Sequence, residues 1–194
     1  METFFKLIRR ARIILWIFIN KIFFGSIGKF SYIYKSTKIE GRAWIYLGNR
    51  TSISEFAWIM VNRDICQTAS LNIASNVYIG RLLHLIVFNK VTIEDDVLIA
   101  DKVYISDNAH EFSNPNLPIK DQKVKLLKPI VISQGCWIGE NACIIGASVG
   151  RNSVVAANSV VLSDVPDYCV VAGSPAKIIK KYNFETASWE RAAR

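Results

Sequence analysis

Apolar residues recur every six positions along most of this 194-residue chain, and this spacing constrains the fold more than any other feature. The clearest series contain Val91, Val97 and Val103 and, two residues later, Ile93, Ile99 and Ile105. An α-helix requires apolar residues about every 3.6 positions, and a simple strand requires them every 2. A spacing of six keeps the strand alternation and adds a turn after each short strand. The sequence therefore predicts a solenoid of stacked coils around a narrow apolar core.

The same spacing continues on both sides of these series. Downstream it runs through Ile132, Ile138 and Ile144, and then through Val149, Val155 and Val161. Upstream it is looser and runs through Ile27, Ile33, Ile39 and Ile45, and then through Leu47, Ile53, Ile59, Ile65 and Leu71. The five-residue step between Ile144 and Val149 predicts one tightened coil. The pattern predicts three parts: an amphipathic helix over 1–26, coils over 27–170, and a turn with a short, basic, helical tail over 171–194.

The segment from Met1 to Phe24 has the pattern of an amphipathic helix. Its apolar face is predicted to contain Phe4, Ile8, Ala11, Leu15, Phe18 and Ile22. The longest uninterrupted apolar run, Ile13 to Ile19, is much shorter than the roughly 20 residues that a membrane crossing needs. Two interpretations remain open for residues 1–24. The helix packs on the end of the solenoid or on a neighbouring subunit, or it lies at a membrane surface with Trp16 and the arginines at the headgroups.

The composition narrows the class of protein. A hydrophobic content of 51% with 11% aromatic residues excludes a disordered chain. The formal net charge is +8, and residues 1–30 contribute six basic side chains against one acidic one. Because these charges adjoin an apolar run, they favour a membrane surface over a nucleic acid.

A long excursion, predicted as a structureless loop over 107–129, interrupts the repeat. It contains the turn-forming residues Asn114 to Pro118 and a histidine, His110, near its start. Loops of this length in compact domains usually carry function. An imidazole with a pKa near the ordinary value of about 6.5 can act as a general base at neutral pH. The second histidine, His84, has apolar neighbours, which favours a core or interface position.

Several segments resemble the hexapeptide-repeat acetyltransferases, whose fold is a left-handed parallel β-helix. The resemblance rests on Cys136 to Asn141, on Gly150 to Val155 and on the Ala-Gly-Ser-Pro-Ala-Lys turn at 172–177. The loop from Ser106 to Pro115 is most similar to the members that acetylate sugar hydroxyls, such as maltose and galactoside acetyltransferases. The resemblance implies an all-β fold and a homotrimer with active sites between subunits.

The resemblance also implies roles for individual residues. It places His110 at the position of the catalytic base, with Asp107, Asn108 or Glu111 as orienting or acceptor-side residues. Solvated loop charges are the alternative for Asp107 and Glu111. For acetyl-CoA it implies contacts with Trp137, Ala157, Leu162, Gly173, Lys177 and Lys180. A core or interface position for Trp137 and an ordinary basic tail for the two lysines are the alternatives.

Together these features predict an acetyl-CoA-dependent O-acetyltransferase that acts on a saccharide and needs no metal. The expected role is in the synthesis of a capsule, an O-antigen or an exopolysaccharide. For this function we expect a cytoplasmic location, peripheral on the inner face of the membrane. A nucleotide-activated amino sugar or a xenobiotic is an alternative acceptor. A non-catalytic assembly module is the alternative of another class. A zinc enzyme of the γ-carbonic anhydrase type needs three histidine ligands, and the chain has two histidines.

Overall fold

The computed structural model describes residues 2–34 and 37–192. The helix α1 (Glu2–Asn20) continues into a single 3-10 turn at Lys21–Phe23. Short strands follow: β1 (Ser26–Ile27), β2 (Tyr32–Ile33), β3 (Lys38–Glu40), β4 (Ile45–Leu47), β5 (Ser52–Ile53), β6 (Trp58–Val61), β7 (Ser70–Ile73), β8 (Tyr78–Ile79), β9 (His84–Val87), β10 (Lys90–Ile93), β11 (Leu98–Ile99) and β12 (Tyr104–Ser106). The remaining strands are β13 (Asn108–His110), β14 (Val124–Leu126), β15 (Ile130–Ile132), β16 (Trp137–Ile138), β17 (Cys143–Ile145), β18 (Val154–Val155), β19 (Val160–Val161), β20 (Cys169–Ala172), β21 (Lys177–Asn183) and β22 (Ser188–Arg191).

The strands form three parallel sheets, and each coil contributes to the three sheets in turn, which makes a three-sided prism. Sheet A has the strand order β1-β4-β7-β10-β15, and sheet B begins β2-β5-β8-β11-β16-β18-β20. Sheet C has the order β19-β17-β12-β9-β6-β3. The predicted solenoid of short parallel strands is therefore confirmed.

The six-residue spacing fixes what fills the prism. Ile93, Ile99 and Ile105 come from the three sheets of one coil, and each is completely buried. Because side chains alternate along a strand, the residues next to these point outward. The core is thus a stack of apolar layers, and the side chains on the outer faces of the sheets do not have to be apolar.

Two corners of the prism repeat one backbone geometry. At the corner between sheets A and B, a residue with positive φ recurs at Phe30, Arg50, Asn76, Asp96, Gly135, Asn152 and Tyr168. The left-handed conformation costs about 1–2 kcal/mol for a residue with a Cβ atom. Hydrogen bonds between coils offset this cost, because the N–H of Asn76 donates to the Asn49 carbonyl at 2.9 Å and that of Asp96 to the Ser75 carbonyl at 3.1 Å.

The third corner, between sheets C and A, is where the chain leaves the prism. Residues 62–69 form one excursion and 107–129 the other. Leu47 pairs with Ile73, 26 positions later, whereas Ile73 pairs with Ile93 after only 20. Because the six extra residues equal one repeat, the spacing of six continues through the excursion and wrongly predicts Ile65 as a core residue. Ile65 is 47% exposed.

The C-terminal segment forms a β-hairpin, so the predicted helical tail is wrong. Strand β21 pairs antiparallel with β20 of the last coil, and β22 pairs antiparallel with β21. The last coil exposes unpaired backbone groups at its edge, and this hairpin satisfies them. A ring contact between Tyr182 and Trp189, with centroids 5.4 Å apart, joins the two strands of the hairpin.

The helix α1 covers the first coil with a different face from the predicted one. Trp16 and Ile17 pack against the core, and the Trp16 ring meets Phe24 edge-on with centroids 6.1 Å apart. Leu15, Phe18 and Ile22, from the predicted apolar face, are exposed. Trp16 therefore packs on the first coil, and the side chain of Phe4 lies outside the described residues.

Candidate active site

His110 lies on a hairpin that projects from the C–A corner. Strand β13 pairs antiparallel with β14, and His110 lies opposite Val124. The side chain of His110 is exposed. The excursion is thus an ordered hairpin rather than the predicted structureless loop, because antiparallel pairing satisfies the backbone that leaves the prism.

The base of this hairpin is fixed by a buried carboxylate. Asp107 is completely buried, and its two oxygens accept the N–H groups of Phe88 and Asn89 at 2.7 and 2.9 Å. Burial raises the pKa of Asp107, and the N–H donors of Phe88 and Asn89 oppose that shift. Asp107 is therefore not a solvated loop charge. It joins the hairpin to the preceding coil, and its described hydrogen bonds do not include the imidazole.

Alternation along β13 separates the other two residues predicted near His110. Asn108 and His110 lie two positions apart and share one face of the hairpin, whereas Glu111 belongs to the opposite face. The Glu111 carboxylate lies 3.8 Å from the Lys125 ammonium group. Asn108 is half-buried and donates to the Asp107 carboxylate at 3.4 Å. The geometry brings Asn108, rather than Glu111, to the side of His110.

The outer face of sheet B brings three predicted cofactor residues together. Trp137 is 51% exposed on this face, and Val154 and Val170 lie beside it in register. Lys180 pairs with Val170, and Lys177 pairs with Ala172. Directly opposed residues point to the same face. Strands lie about 4.8 Å apart, so Lys180 is about 14 Å from Trp137 along the sheet.

Sequence reasoning missed Arg191, which belongs to the same surface. It pairs with Lys180 across the terminal hairpin, so both side chains point to the outer face of sheet B. Two strand-like segments separated by the turn residues 184–187 are the signal that could have identified it. The end of sheet B therefore presents three exposed cations, at Lys177, Lys180 and Arg191.

The remaining predicted cofactor residues lie at two different corners. Ala157 is exposed at the B–C corner. Gly173 is beside it, because its carbonyl accepts the Val160 N–H at 2.9 Å and its N–H donates to Ser159 at 3.2 Å. Gly173 has a φ of +102°, a conformation that glycine tolerates best. Leu162 is 54% exposed and follows β19 at the C–A corner, away from Trp137.

A single chain therefore holds the two predicted halves of the site on opposite sides of the prism. The C–A corner, which carries the His110 hairpin, lies across the core from the outer face of sheet B, which carries Trp137 and the lysines. The imidazole and the predicted cofactor surface do not meet within one chain.

His84 lies on the outer face of sheet C and is partly buried there. Its ring stacks on Trp58 with centroids 4.5 Å apart and contacts Tyr104 at 5.1 Å. Desolvation lowers the pKa of His84, and its buried Nε2 has no hydrogen-bond partner among the described residues. Within residues 2–34 and 37–192, no cluster of three or more His, Cys, Asp or Glu side chains has a metal-binding arrangement.

Comparisons with known proteins agree with this architecture. Residues 129–163 match the family described as the hexapeptide repeat of succinyl-transferase. WbbJ of Escherichia coli K12, named as a lipopolysaccharide biosynthesis O-acetyl transferase, is 42% identical over 127 residues, which are 61% of this chain and 64% of WbbJ. The galactoside O-acetyltransferase of the same organism is 29% identical over 76% of this chain and 71% of its own length.

Solved structures share the fold. AntD, an N-acyltransferase from Bacillus cereus crystallised with dTDP-4-amino-4,6-dideoxyglucose and coenzyme A, superposes with a TM-score of 0.72. It is 22% identical, and the match covers 87% of this chain and 89% of AntD. The prism is thus a left-handed parallel β-helix, and the chain is similar to hexapeptide-repeat acetyltransferases. The chain spans less than two thirds of WbbJ, the first of these relatives.

Proposed function

We propose that this protein is an acetyl-CoA-dependent O-acetyltransferase that modifies a saccharide hydroxyl during surface-polysaccharide synthesis, and that it acts as a homotrimer. The observation that carries the proposal is the division of the site. An exposed histidine projects from one edge of the prism, and an aromatic surface ending in three cations lies on the opposite side. In a ring of like subunits, the edge of one chain faces the sheet of the next. The site is then complete only between subunits.

His110 supplies the general base in this proposal. It removes the proton from the acceptor hydroxyl as the oxygen attacks the thioester carbonyl, and the CoA thiolate leaves and takes up the proton. Asn108, on the same face of the hairpin, is placed to hydrogen-bond the acceptor or the imidazole. The buried carboxylate of Asp107 holds the hairpin in position and takes no part in proton transfer.

The outer face of sheet B binds the cofactor in this proposal. The Trp137 ring gives the pantetheine arm an apolar wall, and Ala157 and Gly173 leave room at the neighbouring corner. The cations at Lys177, Lys180 and Arg191 attract the phosphates of CoA, for which Lys acts as a point charge and Arg as a bidentate donor. Leu162, at the C–A corner, belongs to the histidine side of the interface.

A complementation experiment tests the division between subunits. His110→Ala and Trp137→Ala are each expected to lack activity as homotrimers. When the two variants are coexpressed with different tags, about a third of the sites in mixed trimers combine an intact His110 with an intact Trp137. Activity in mixed trimers at about that fraction of the wild-type value supports the proposal. Mixed trimers with no activity contradict it.

The acceptor is tested by identifying the product. A panel containing neutral sugars, a nucleotide-activated amino sugar and chloramphenicol is incubated with acetyl-CoA, and the new ester or amide is identified by mass spectrometry. Acetyl esters on the neutral sugars support the proposal. Amide formation on the amino sugar instead indicates an N-acyltransferase, and the absence of CoA binding by calorimetry indicates a non-catalytic module.

The first helix supports a peripheral membrane location as part of this proposal. Ile14, Phe18 and Ile22 are exposed apolar residues, and Arg12 and Lys21 are exposed beside them. Such a helix can insert its apolar face among lipids while its cations meet anionic headgroups. None of the helices in the described part of the chain has the length and hydrophobicity that a bilayer crossing requires.

Vesicle binding tests this location. The variant Phe18→Ser/Ile22→Ser is expected to lose binding to vesicles of phosphatidylglycerol and phosphatidylcholine. Point variants are preferred to removal of residues 1–24, because Trp16 and Phe24 pack against the core. Phe112→Ser, which changes an exposed phenylalanine of the histidine hairpin, is the control and should bind as the wild type does. Equal binding by both variants rejects the membrane location.

A further inference from the structure

The outer face of sheet A carries a groove that the proposed reaction does not use. It has a volume of about 450 Å³, within the range of roughly 300–1,000 Å³ found for small-molecule sites. Its lining residues include Ser26, Tyr46, Asn72 and Thr92, which pair in register on four successive coils. Because successive strands lie about 4.8 Å apart, these four side chains form a polar column about 14 Å long.

The floor and the second wall of the groove follow from residues beside this column. Gly48 and Ala74 line it without long side chains. A Cβ atom on Gly48 would lie 2.5 Å from the Ala74 carbonyl carbon, so glycine is required where these two coils approach each other. Glu94 and Gln134 close the groove on the side of the A–B corner, and the Glu94 carboxylate accepts the Gln134 N–H at 2.9 Å.

The column offers hydrogen-bonding groups that the fold does not use. Within the described residues, the hydroxyl groups of Ser26, Tyr46 and Thr92 have no hydrogen-bond partner. The Asn72 amide makes one long bond, to Ser70 at 3.4 Å. The Tyr46 ring lies against Gly25, where a Cβ atom would lie 2.5 Å from the ring. An aromatic ring beside hydroxyl, amide and carboxylate groups is suited to a sugar, whose rings have apolar C–H faces and polar edges.

The charge of the groove excludes the substrates of the proposed transfer reaction that carry phosphate. Glu94 and Asp95 contribute carboxylates, and none of the described residues that line the groove is Lys or Arg. Phosphates would be repelled here, whereas the outer face of sheet B presents cations. The groove lies on the outer face of sheet A toward the A–B corner, whereas His110 projects from the C–A corner. It therefore differs from the proposed transfer site in both position and charge.

We propose that this groove binds a neutral saccharide of two or three sugar units, as a second site apart from the transfer centre. The polar column forms hydrogen bonds with the hydroxyl groups along the saccharide, and the Tyr46 ring packs against one sugar face. Such a site would hold a distant part of a glycan chain while another part is acetylated. This last role rests on the proposed function, but the binding itself does not.

The test uses the full-length protein without acetyl-CoA and maltotriose as the probe. Backbone amide shifts followed by NMR are expected to change at Tyr46, Asn72 and Thr92. The variant Asn72→Ala/Thr92→Val is expected to raise the dissociation constant about thirtyfold, because the two lost hydrogen bonds together contribute about 2 kcal/mol. Asn116→Ala, which removes an amide from the histidine hairpin, is the control and should bind as the wild type does.

Glucose and glucose 6-phosphate test the effect of the negative charge of the groove. The phosphate is expected to weaken binding at least several-fold, and Glu94→Gln should reduce that difference. No shift with maltotriose at about 10 mM, an unchanged constant in the double variant, or equal binding of the two glucose probes overturns the proposal. Because no turnover is measured, these results do not depend on whether acetyl transfer occurs.

Discussion

The regular corners of the coil and the irregular C–A corner differ in how their backbone is satisfied. At the A–B and B–C corners, residues with positive φ donate hydrogen bonds from one coil to the next, as Asn76 does to Asn49 and Leu82 to Glu55. At the C–A corner, the excursions at 62–69 and 107–129 leave the prism. A residue added at either regular corner would displace a repeated bond. The C–A corner absorbs insertions because its longer segments form their own hydrogen bonds.

This difference predicts a division between stability and activity. Changes inside the stack should unfold the protein, and changes at the tip of the His110 hairpin should remove activity without unfolding it. The base of the hairpin, where Asp107 is buried, should affect both. The following predictions test this division.

The largest effect is expected for His110→Ala. Loss of the general base should lower turnover by a factor of about 100 to 10,000. The side chain is exposed, so the thermal unfolding midpoint should stay unchanged. Steady-state kinetics and thermal denaturation measure the two quantities. Glu111→Ala, on the opposite face of the hairpin, is the control, and a comparable loss of turnover in it would show that His110 has no special role.

The next largest effect is expected for Ile99→Ala in the stack. This side chain is completely buried, and the cavity should lower the free energy of unfolding by about 2–5 kcal/mol. Leu117→Ala on the hairpin, where the side chain is 49% exposed, should change it by less than about 0.5 kcal/mol. Chemical denaturation at one fixed protein concentration gives both values. Similar losses of unfolding free energy in the two variants would contradict the difference in stability between the stack and the hairpin.

An intermediate effect is expected for Asp107→Asn at the base of the hairpin. An amide has one oxygen, so it can accept only one of the N–H groups of Phe88 and Asn89. The free energy of unfolding should fall by about 1–3 kcal/mol, and turnover should fall because the hairpin is less well held. Denaturation and kinetics are measured on the same preparation. Asp121→Asn, in the exposed part of the excursion, is the control, and a variant as stable as the wild type would contradict the anchoring role.

The smallest effect is expected at the pair of Lys128 and Asp164, whose charged groups lie 2.5 Å apart at the end of the hairpin. The hydrogen bond from Lys128 and the N–H of Ser148 lower the pKa of Asp164 from its ordinary value of 3.8. The ionised carboxylate therefore stabilises the fold above that value, and the stabilisation is lost as the pH falls through the lowered pKa.

Asp164→Asn tests this pair through its pH dependence. At neutral pH it should reduce stability by less than about 1 kcal/mol, because both groups are largely exposed. Thermal unfolding of the wild type and the variant between pH 7 and acid should show the difference shrinking as the carboxylate is protonated. A difference that grows in acid would contradict the assigned shift. The exposed pair of Lys120 and Asp121 is the matched control for the pair of Lys128 and Asp164.

The sequence predicted the stack and the candidate base from different signals. The six-residue spacing identified the core residues, because a coil with three sheets buries one side chain from each strand. It misassigned Ile65, since the six extra residues of that coil keep the spacing of six in phase. The polar loop around Asp107 indicates an orienting residue or a solvated charge. Its burial could not be predicted, because it depends on contacts with the neighbouring coil. The C-terminal hairpin was missed because its pairing partner, β20, lies outside the segment.

The sequence by itself determined the repeat, most of the core and the excursion at 107–129, since these depend on the local alternation of apolar and polar residues. Only the tertiary structure decided which outward side chains share a face. It placed Arg191 beside Lys180, separated Glu111 from His110, and set His110 and Trp137 on opposite sides of the prism. Those relations depend on strand register and on the stacking of coils, which join residues distant in sequence. The sequence pattern records neither.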